Sequence, residues 1–493
     1  MRELSCYIDG DFVAGPVALP ATSPSSGERF ATVAGGDAAT AEAAVAAARR
    51  AAGDWAGLSS FERAAHLSAL AGVVRRERQA LARLLTLDQG KPLVAEAYDE
   101  VDELALYFEM AAADAVRLEG SLPASVSAER RALVRRLPLG VVAVVSPWNW
   151  PYTMGAELVA PALAAGNTVV WVPAPTTSAC TAELVRLLAT EAPLPHGVLN
   201  LVPGEGAVVG AAVVSHPGTD GVGFVGSVAT GRAVAAGAAG KSQLLELGGN
   251  GPMVVLADAD IEVATAAALE AAFLCAGQSC TAGERFLVEA PVAAAFCESV
   301  VEATRGRVRL GDPFDPATTM GPLNNEKTAA KFDRHVADAI ARGASCLLGG
   351  SRAGGFPTEL YVEATVLAGV TAEMEISREE TFGPVVPVIE VASAEEALAL
   401  TNSSPFGLTA AVFTEDLERG LAFAERARAG WVNVNASTNL WESHLPFGGR
   451  AGSSSGRGRV GGRHVLEAFS EPQTILLPAP RLAGRPPRQR DNE

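Results

Sequence analysis

The architecture of this chain is set by residues 140–172, GVVAVVSPWNWPYTMGAELVAPALAAGNTVVWV. They begin with a continuous apolar run, Gly140–Val145, of the kind found in strands buried on both faces of a parallel sheet. A helical segment, Glu157–Ala165, and another apolar strand, Thr168–Val172, come next. Strand, helix and strand in this order predict a βαβ unit, which belongs to an α/β fold.

The same alternation continues on both sides of this unit. After it we predict helices and strands at Ser178–Ala189, Val198–Val202, Ala207–Val214, Gly221–Phe224 and Gly231–Ala238. Before it we predict a strand at Arg131–Arg136 and helices at Ala38–Arg50 (capped near Asp37 or Thr40), Ser60–Leu87 and Val94–Val116. This series is typical of a dinucleotide-binding domain. A second α/β series begins at Gly251, with strands at Met253–Leu256, Arg285–Val288, Ser345–Leu348, Val385–Glu390 and Gln473–Leu477.

Length and composition bound the class of protein. At 493 residues the chain exceeds what one hydrophobic core can hold, so two or three domains are expected. Hydrophobic residues make up 48% and charged residues 19%, which is typical of a soluble globular protein. A net charge of −17 argues against nucleic acid or an anionic membrane as a partner, since both repel an acidic surface.

The sequence also predicts the compartment. Met1–Gly10 contain no apolar core of a signal peptide, and no charge-free apolar run approaches the ~20 residues that a membrane span needs. The six cysteines form neither a Cys-x-x-Cys pair nor a metal-ligand spacing. We therefore expect reduced thiols in a cytoplasmic protein that holds no metal.

One cysteine stands apart from the others. Residues 277–285, GQSCTAGER, place Cys280 among small and polar neighbours, just after an Ala-rich helical run. Glu246 lies upstream in residues 245–249, LELGG. A thiol is a weak nucleophile until it loses its proton, and a nearby carboxylate can take that proton or activate water. Alone, Cys280 would be interpreted as a small buried hydrophobe. Together, the two segments resemble the active-site signatures of the aldehyde dehydrogenase superfamily.

This resemblance covers about residues 5–478 and implies an α/β fold of three parts. A Rossmann-type cofactor domain would span 1–117 and 138–250, and a second α/β catalytic domain would span 251–466. A small β-flap for oligomerisation would consist of 118–137 and 467–480, followed by a disordered tail at 481–493. The family resemblance also implies a homodimer or homotetramer.

The resemblance further implies oxidation of a small-molecule aldehyde to the carboxylic acid with NAD(P)⁺. Cys280 would be the nucleophile, and Asn149 in Pro147-Trp148-Asn149 would donate to the oxyanion. Glu246 would be the base for water, which favours the non-phosphorylating, hydrolytic type of enzyme. The alternative is that these two residues have structural roles only, with Asn149 capping the following helix and Glu246 being an ordinary carboxylate at a strand end. Two other functions stay open: a coenzyme A-acylating aldehyde dehydrogenase and a catalytically silent binding protein of the same fold.

Two further sets of residues follow from the family motifs. Those expected to bind the cofactor are Trp148, Gly204, Gly206, Phe224, Gly226, Ser227, Leu247, Gly248, Glu380 and Phe382. Those expected to line a substrate tunnel are Trp150, Met154, Glu157, Leu274, Trp441 and Phe447, with Glu442 and His444 nearby. The tunnel would suit an aromatic aldehyde by stacking, a cationic aldehyde by cation–π and charge contacts, or an aliphatic one.

The chain departs from the family pattern, which makes it an atypical member. Val172 and Pro175 replace the Lys and Glu that normally bind the adenosine ribose, so NAD and NADP both remain candidates, with NAD slightly favoured. Val225, Leu158 and Val460 replace three polar neighbours of the base. A drier Glu246 should have a raised pKa, so we expect slower hydrolysis at neutral pH, another proton route, or a relay through water.

Overall fold

The structure of the protein, a computed structural model, describes residues 2–479. The tail predicted to be disordered, 481–493, lies outside the described residues. In chain order the strands are β1 (Arg2–Ile8), β2 (Asp11–Val13), β3 (Val17–Thr22), β4 (Arg29–Gly35), β5 (Arg130–Pro138), β6 (Val141–Val145), β7 (Thr168–Val172), β8 (Leu199–Leu201), β9 (Gly221–Gly226), β10 (Ser242–Leu247), β11 (Gly251–Val255), β12 (Gly283–Glu289), β13 (Ser345–Leu348), β14 (Thr365–Ala368), β15 (Val385–Val391), β16 (Thr409–Phe413), β17 (Trp431–Val434), β18 (Gly456–Arg457) and β19 (Ser470–Pro478).

Helices connect most of these strands. They are α1 (Ala38–Gly57), α2 (Ser60–Arg76), α3 (Arg78–Gln89), α4 (Tyr98–Ala115), α5 (Thr153–Ala164), α6 (Ser178–Glu191), α7 (Ala211–Ser215), α8 (Val228–Gly237), α9 (Ile261–Phe273), α10 (Ala290–Arg307), α11 (Glu326–Ala341), α12 (Glu375–Arg378), α13 (Ala394–Ser403), α14 (Leu417–Arg426) and α15 (Arg463–Ala468). No helix within residues 2–479 is both long enough and apolar enough to cross a membrane.

The first sheet has ten strands in the order β18-β10-β9-β6-β7-β8-β1-β4-β3, with β2 paired to β1. Its centre, from β10 to β8, is parallel, and the β6–β7 register joins Val141 to Thr168. Every residue of β7 is buried, which explains the continuous apolar run at Thr168–Val172. β18 returns from far along the chain and pairs antiparallel with β10. This sheet confirms the predicted α/β fold.

The first four strands of the chain were not predicted from the sequence. β1 pairs with three strands: parallel with β4, antiparallel with β2, and antiparallel with β8 at one position, Tyr7 to Leu201. Much of β2 and β3 is exposed, so these strands lack an apolar run. Their stability comes from non-local pairing, which a local pattern cannot reveal.

The second sheet has seven strands in the order β13-β14-β15-β12-β11-β16-β17 and is parallel except for β13. A separate two-stranded antiparallel sheet joins β5 to β19 over their full length, with Val134 opposite Thr474. Ser121 bridges to Val134 from the segment that precedes β5. These are the segments in which the sequence predicted a flap.

Several helix boundaries differ from those predicted. The helix predicted at Ser60–Leu87 is two helices, because the chain breaks at Glu77 between α2 and α3. The helix predicted at Glu157–Ala165 starts earlier, at Thr153. Its first turn contains Gly155, where a Cβ atom would lie only 2.1 Å from the Trp171 ring, so the small residue there permits close helix–strand packing. The predicted cap of α1 is confirmed, since Asp37 and Thr40 form a capping box.

Candidate active site

The carboxyl ends of β6, β9 and β10 open into one cavity between the two large sheets. Its volume is about 660 Å³. Ligand sites of open parallel sheets form outside the carboxyl ends of the strands. All the predicted catalytic and tunnel residues line this cavity, as do all the predicted cofactor residues except Gly204 and Leu247. Gly204 packs against Val209, and the Leu247 side chain packs over Gly231.

Cys280 follows a tight turn at the end of α9. Two residues of that turn, Cys275 and Ala276, have left-handed backbone angles of φ +52° and +53°, which are uncommon outside glycine. The carbonyl of Cys280 lies against Gly249, where a Cβ atom would come within 2.1 Å of it. The thiol itself is partly exposed to the cavity. The backbone therefore holds this thiol at a fixed place on the cavity wall.

The thiol of Cys280 needs a base before it can act. Burial raises its pKa well above the ordinary value, and the charge of Glu246 raises it further. At neutral pH the resting side chain is therefore a thiol and not a thiolate. Attack on a carbonyl carbon requires that the proton be removed as the new bond forms.

A hydrogen-bond network that the sequence did not predict supports the cysteine from both sides. The Ser279 and Thr281 hydroxyls lie 2.8 Å apart, and both donate to Asn439 Oδ1, at 3.2 Å and 2.5 Å. Asn439 Nδ2 in turn donates to the carbonyl of Glu270, the last helical turn before the cysteine, at 2.8 Å. The two hydroxyls beside Cys280 were the available signal in the sequence.

Asn149 lies in the loop after β6 and faces the cysteine segment. Its Nδ2 donates to the carbonyl of Gln278 at 2.9 Å, which fixes the amide group and leaves its second N–H for a ligand. The following helix, α5, has Tyr152 at its N-cap and no side-chain cap. The alternative of a helix-capping Asn149 is therefore not what the structure has.

Glu246 lies on β10 in dry surroundings. Its register partner on β9 is Val225, and Leu158 and Val460 are buried in the same hydrophobic cluster as Val225. Its Oε1 atom is buried and accepts no hydrogen bond from the described residues. Burial raises the pKa of Glu246 to about 8; interaction with the Cys280 thiol lowers it and the charge of Glu380 raises it. The dry carboxyl group expected from the three aliphatic residues is present.

The other end of the cavity has the features of a dinucleotide site. Ser227 caps the N-terminus of α8, with its hydroxyl accepting from the Thr230 N–H, so this helix end points positive charge toward the cavity. Glu380 Oε1 accepts from the Gly249 N–H at 2.9 Å, and a Cβ atom on Gly248 would lie 2.6 Å from it. Glycine at 248 thus keeps this wall open.

Phe382 and Trp148 form an aromatic corner at the same end. Their rings meet edge to face at 5.5 Å, and Phe382 has a left-handed φ of +59°. Glu284 holds this strained turn, since its carboxylate accepts from the Thr381 N–H at 2.9 Å and the Phe382 N–H at 2.7 Å. Sequence reasoning missed Glu284, although it lies within the cysteine motif. Val172, Pro173, Ala174 and Pro175 form an apolar strip of the wall.

The predicted tunnel residues form an aromatic wall on the opposite side of Cys280. The rings of Trp441 and Phe447 lie 5.3 Å apart. Trp150 rests on a buried cation: Lys91 Nζ lies 3.4 Å from its ring centre and 2.5 Å from Glu100 Oε2. Glu100 also accepts from the Tyr152 N–H at 3.0 Å. This ion pair, whose side chains are both fully buried, fixes the loop that carries Asn149.

Acidic groups also line the tunnel. Glu157 is buried on α5, and Glu103 faces the cavity from α4. Burial raises the pKa of both carboxyl groups, to about 7 for Glu103 and well above its ordinary value for Glu157. Glu100, Glu103 and Tyr107 lie three and four residues apart on the buried face of α4. Charged residues at these otherwise apolar positions were the missed signal in the sequence.

Comparison with known proteins agrees with this geometry. A profile of the aldehyde dehydrogenase family matches residues 13–475. The chain belongs to this family. It is similar to 3-sulfolactaldehyde dehydrogenase of Pseudomonas putida (36% identity, covering 97% of each chain). It is also similar to betaine aldehyde dehydrogenase of Brucella melitensis biotype 2 (38% identity, covering 96% of this chain and 97% of the relative).

The fold of this aldehyde dehydrogenase is that of its solved relatives. An NADP-dependent enzyme of E. coli matches with a TM-score of 0.93 at 34% identity, over 97% of this chain and 98% of that one. The protein is an oxidoreductase that oxidises an aldehyde to the carboxylic acid with NAD(P)⁺. The activity predicted from the cysteine and glutamate motifs is confirmed at this level.

Proposed function

We propose that the protein oxidises its aldehyde by covalent catalysis at Cys280 and releases the acid by hydrolysis. The observation that carries this proposal is that Cys280, Asn149 and Glu246 line one cavity and that Cys280 and Glu246 perturb each other's pKa. Perturbed ionisable groups that share a cleft are typical of catalytic sites.

In the first step Cys280 attacks the aldehyde carbon. The S–C bond forms while the thiol proton passes to the Glu246 carboxylate, and the carbonyl oxygen becomes an oxyanion. The second N–H of Asn149 and the backbone N–H of Cys280 donate to this oxyanion. Removing one such donor typically costs about 10²–10³ in rate.

The dinucleotide end of the cavity fits NAD(P). The open wall at Gly248 and the capped N-terminus of α8 suit a ligand that carries phosphates and passes close to the backbone. Trp148, Gly206, Phe224, Gly226, Ser227, Gly248, Glu380 and Phe382 would contact it. When bound, NAD(P)⁺ accepts the hydride that leaves the thiohemiacetal carbon, and the Cys280 adduct becomes a thioester.

The apolar strip Val172–Pro175 bears on the choice of cofactor. It offers no carboxylate to repel a 2′-phosphate and no cation to bind one. We therefore expect the protein to use both cofactors with little discrimination, with NAD slightly preferred because a 2′-phosphate would lose water there without gaining a partner.

Before the last step the thiol proton leaves Glu246 for the solvent. Glu246 then removes a proton from water, whose oxygen attacks the thioester carbon. The S–C bond breaks, the acid is released, and the departing Cys280 sulfur takes up a proton to become a thiol again. Transfer of the acyl group to coenzyme A would need no such base, so Glu246 in the cavity supports hydrolysis. The test is to follow reduced cofactor and acyl products with and without coenzyme A. We expect free acid and a rate independent of coenzyme A; turnover that required the thiol acceptor would overturn the proposal.

The tunnel favours a neutral or cationic aldehyde over an anionic one. Glu103 and Glu157 line the cavity together with the predicted tunnel residues, and both repel an anion once ionised. The cations of the lining lie on α11, where Lys331 Nζ is 5.7 Å from the Phe382 ring at the cofactor end. The aromatic wall, formed by Trp150, Trp441 and Phe447, suits flat or cationic groups. Assays with betaine aldehyde, benzaldehyde and sulfolactaldehyde should give the lowest kcat/KM with sulfolactaldehyde. A preference for the anionic aldehyde would contradict this proposal.

The domain organisation and assembly extend the proposal. The first sheet with its helices would be the cofactor domain (1–117 and 138–250), and the second would be the catalytic domain (251–466).

The β5–β19 sheet, within 118–137 and 467–480, would contact another copy, since Leu476 and Leu477 expose about half of their surface. Light scattering should show a dimer or tetramer, and Leu476→Asp should weaken it; a monomer would contradict this. The six free cysteines suit the reducing cytoplasm.

A further inference from the structure

Two acidic groups of the cavity lining, and a buried phenol close to one of them, take no part in the chemical steps above. Glu157 on α5 is 1% exposed, and its Oε1 accepts no hydrogen bond from the described residues. The Tyr107 hydroxyl on α4 is also buried and lacks a hydrogen-bond partner there. Glu103, one helical turn before Tyr107, faces the same cavity and is partly exposed. Buried carboxyl groups without partners are costly, so a role in function is the simplest reason to keep them.

Glu157 faces both the base and the partly exposed Glu103. Its carboxyl group interacts electrostatically with Glu103 and with Glu246, and the nearby Tyr107 hydroxyl lowers its pKa. All three acids line one continuous cavity that has room for water. Glu157 is thus the acid that interacts with both Glu246, beside the reacting cysteine, and Glu103, which is partly exposed.

The other neighbours of Glu246 among the described residues are mostly apolar. Val225, Leu158, Val460 and Leu244 belong to one buried hydrophobic cluster. Cys280 is occupied by the acyl group at the moment when water is activated. Glu380 is held by the Gly249 N–H at the cofactor end of the cavity.

We propose that Glu157 is a proton-relay residue that connects Glu246 to Glu103 and so to the solvent. The inference rests on the proposed hydrolytic mechanism and adds a route to it. When water attacks the thioester, one O–H bond breaks and its proton passes to Glu246. Glu157 gives its own proton to the Glu103 carboxylate and takes the one from Glu246, directly or through a water in the cavity. One proton leaves at Glu103 for each thioester hydrolysed.

The acidities of the three groups suit this transfer. Burial raises the pKa of Glu246 to about 8 and that of Glu103 to about 7, so passing a proton from the base to the outer group costs about one pKa unit, and release of that proton from Glu103 to water at neutral pH completes the transfer. Glu103 also faces Glu100, Asp99 and Lys91, of which the first and second raise its pKa and the third lowers it. The charged and titratable groups that interact with Glu157 are Glu103, Glu246, Tyr107 and Cys280.

The test is Glu157→Gln, which keeps the size and polarity of the side chain but cannot pass on a proton. Hydrolysis should slow by about 10²-fold, the low end of what acid–base groups supply. Acylation should stay fast, so a pre-steady-state burst of reduced cofactor should appear. Imidazole or another small buffer base should restore part of the hydrolysis rate, as should Glu157→Asp. Glu425→Gln, which makes the same change at an exposed carboxylate of α14 outside the cavity lining, is the matched control and should change nothing.

Other outcomes would overturn the relay. A raised KM for cationic aldehydes with unchanged kcat and no burst would make Glu157 a substrate-binding group instead. An unchanged enzyme would leave it without a role. If Glu157→Gln fails to fold, Glu103→Gln at the partly exposed end should still slow hydrolysis and respond to buffer. Absence of an acyl-enzyme in the unmodified protein would instead refute the proposed function itself.

Discussion

Replacing Val225 by threonine should speed hydrolysis at neutral pH. Val225 is the register partner of Glu246 on the neighbouring strand, and both side chains line the cavity. With its pKa raised by burial to about 8, about one tenth of Glu246 is ionised at pH 7. A threonine hydroxyl can donate to the ionised carboxylate and should lower this pKa by about one unit. About half of Glu246 would then be ionised at pH 7, a gain of about fivefold.

The assay is the rate of thioester hydrolysis between pH 6 and 9, measured after a single round of acylation. For the natural protein we expect the rate to rise with pH up to about 8. For Val225→Thr the same curve should shift about one unit lower in pH and keep its plateau. Val208→Thr makes the same change at a residue that is 47% exposed, and it should leave the curve unchanged. A natural midpoint near the ordinary carboxyl value of 4.5, or an unshifted curve for Val225→Thr, would refute the reasoning.

Three further predictions concern stability and the cofactor. Lys91→Met leaves the buried carboxylate of Glu100 without its ion-pair partner and should lower the free energy of unfolding, measured by calorimetry, by about 3–5 kcal/mol. The double variant with Glu100→Gln should recover part of this loss, and an unchanged Tm in Lys91→Met would contradict the prediction. Because the folded pKa of Glu246 is raised, its stabilising contribution is complete below the unfolded pKa of about 4.5 and is lost as pH rises through about 8. The Tm of the natural protein should therefore be lower at pH 9 than at pH 6.5. This decrease in Tm should be smaller in Glu246→Gln, and an equal decrease in both proteins would contradict the prediction. Pro175→Glu places a carboxylate on the apolar strip and should raise KM for NADP by about tenfold relative to NAD, with Pro175→Gln as control; parallel changes for both cofactors would contradict it.

The sequence predicted the central βαβ units well because their signal is local. The strand at Thr168–Val172 is apolar along its whole length, and the structure has it with the predicted bounds. The cysteine and glutamate motifs were recognisable because each is a short run of adjacent residues, GQSCTAGER and LELGG, that can be identified without knowing the fold. Cys280 and Glu246, far apart in the chain, line one cavity because Glu246 lies at the carboxyl end of β10 and Cys280 lies in the segment between α9 and β12.

What the sequence could not predict depends on non-local contacts. The position of β1 depends on its pairing with β4 and β8, and the sequence of Arg2–Ile8 has no periodicity that predicts a strand there. Lys91 and Glu100 belong to charged, helix-rich segments and look like solvated surface residues, yet both are fully buried. Glu103 is similar, because its exposure to a cavity depends on how α4 packs against α5. A charged residue can be identified as buried only when the positions of its partners in the fold are known.

The central claim is that the acyl group is carried by the sulfur of Cys280. The most direct measurement is to mix the protein with aldehyde and oxidised cofactor, quench within the first turnover with acid, and locate the added mass by peptide mass spectrometry. We expect a thioester adduct on Cys280 and none on the buried Cys275 or Cys297, together with loss of turnover in Cys280→Ala but not in Cys297→Ala. An adduct on another residue, or turnover that survives in Cys280→Ala, would contradict it.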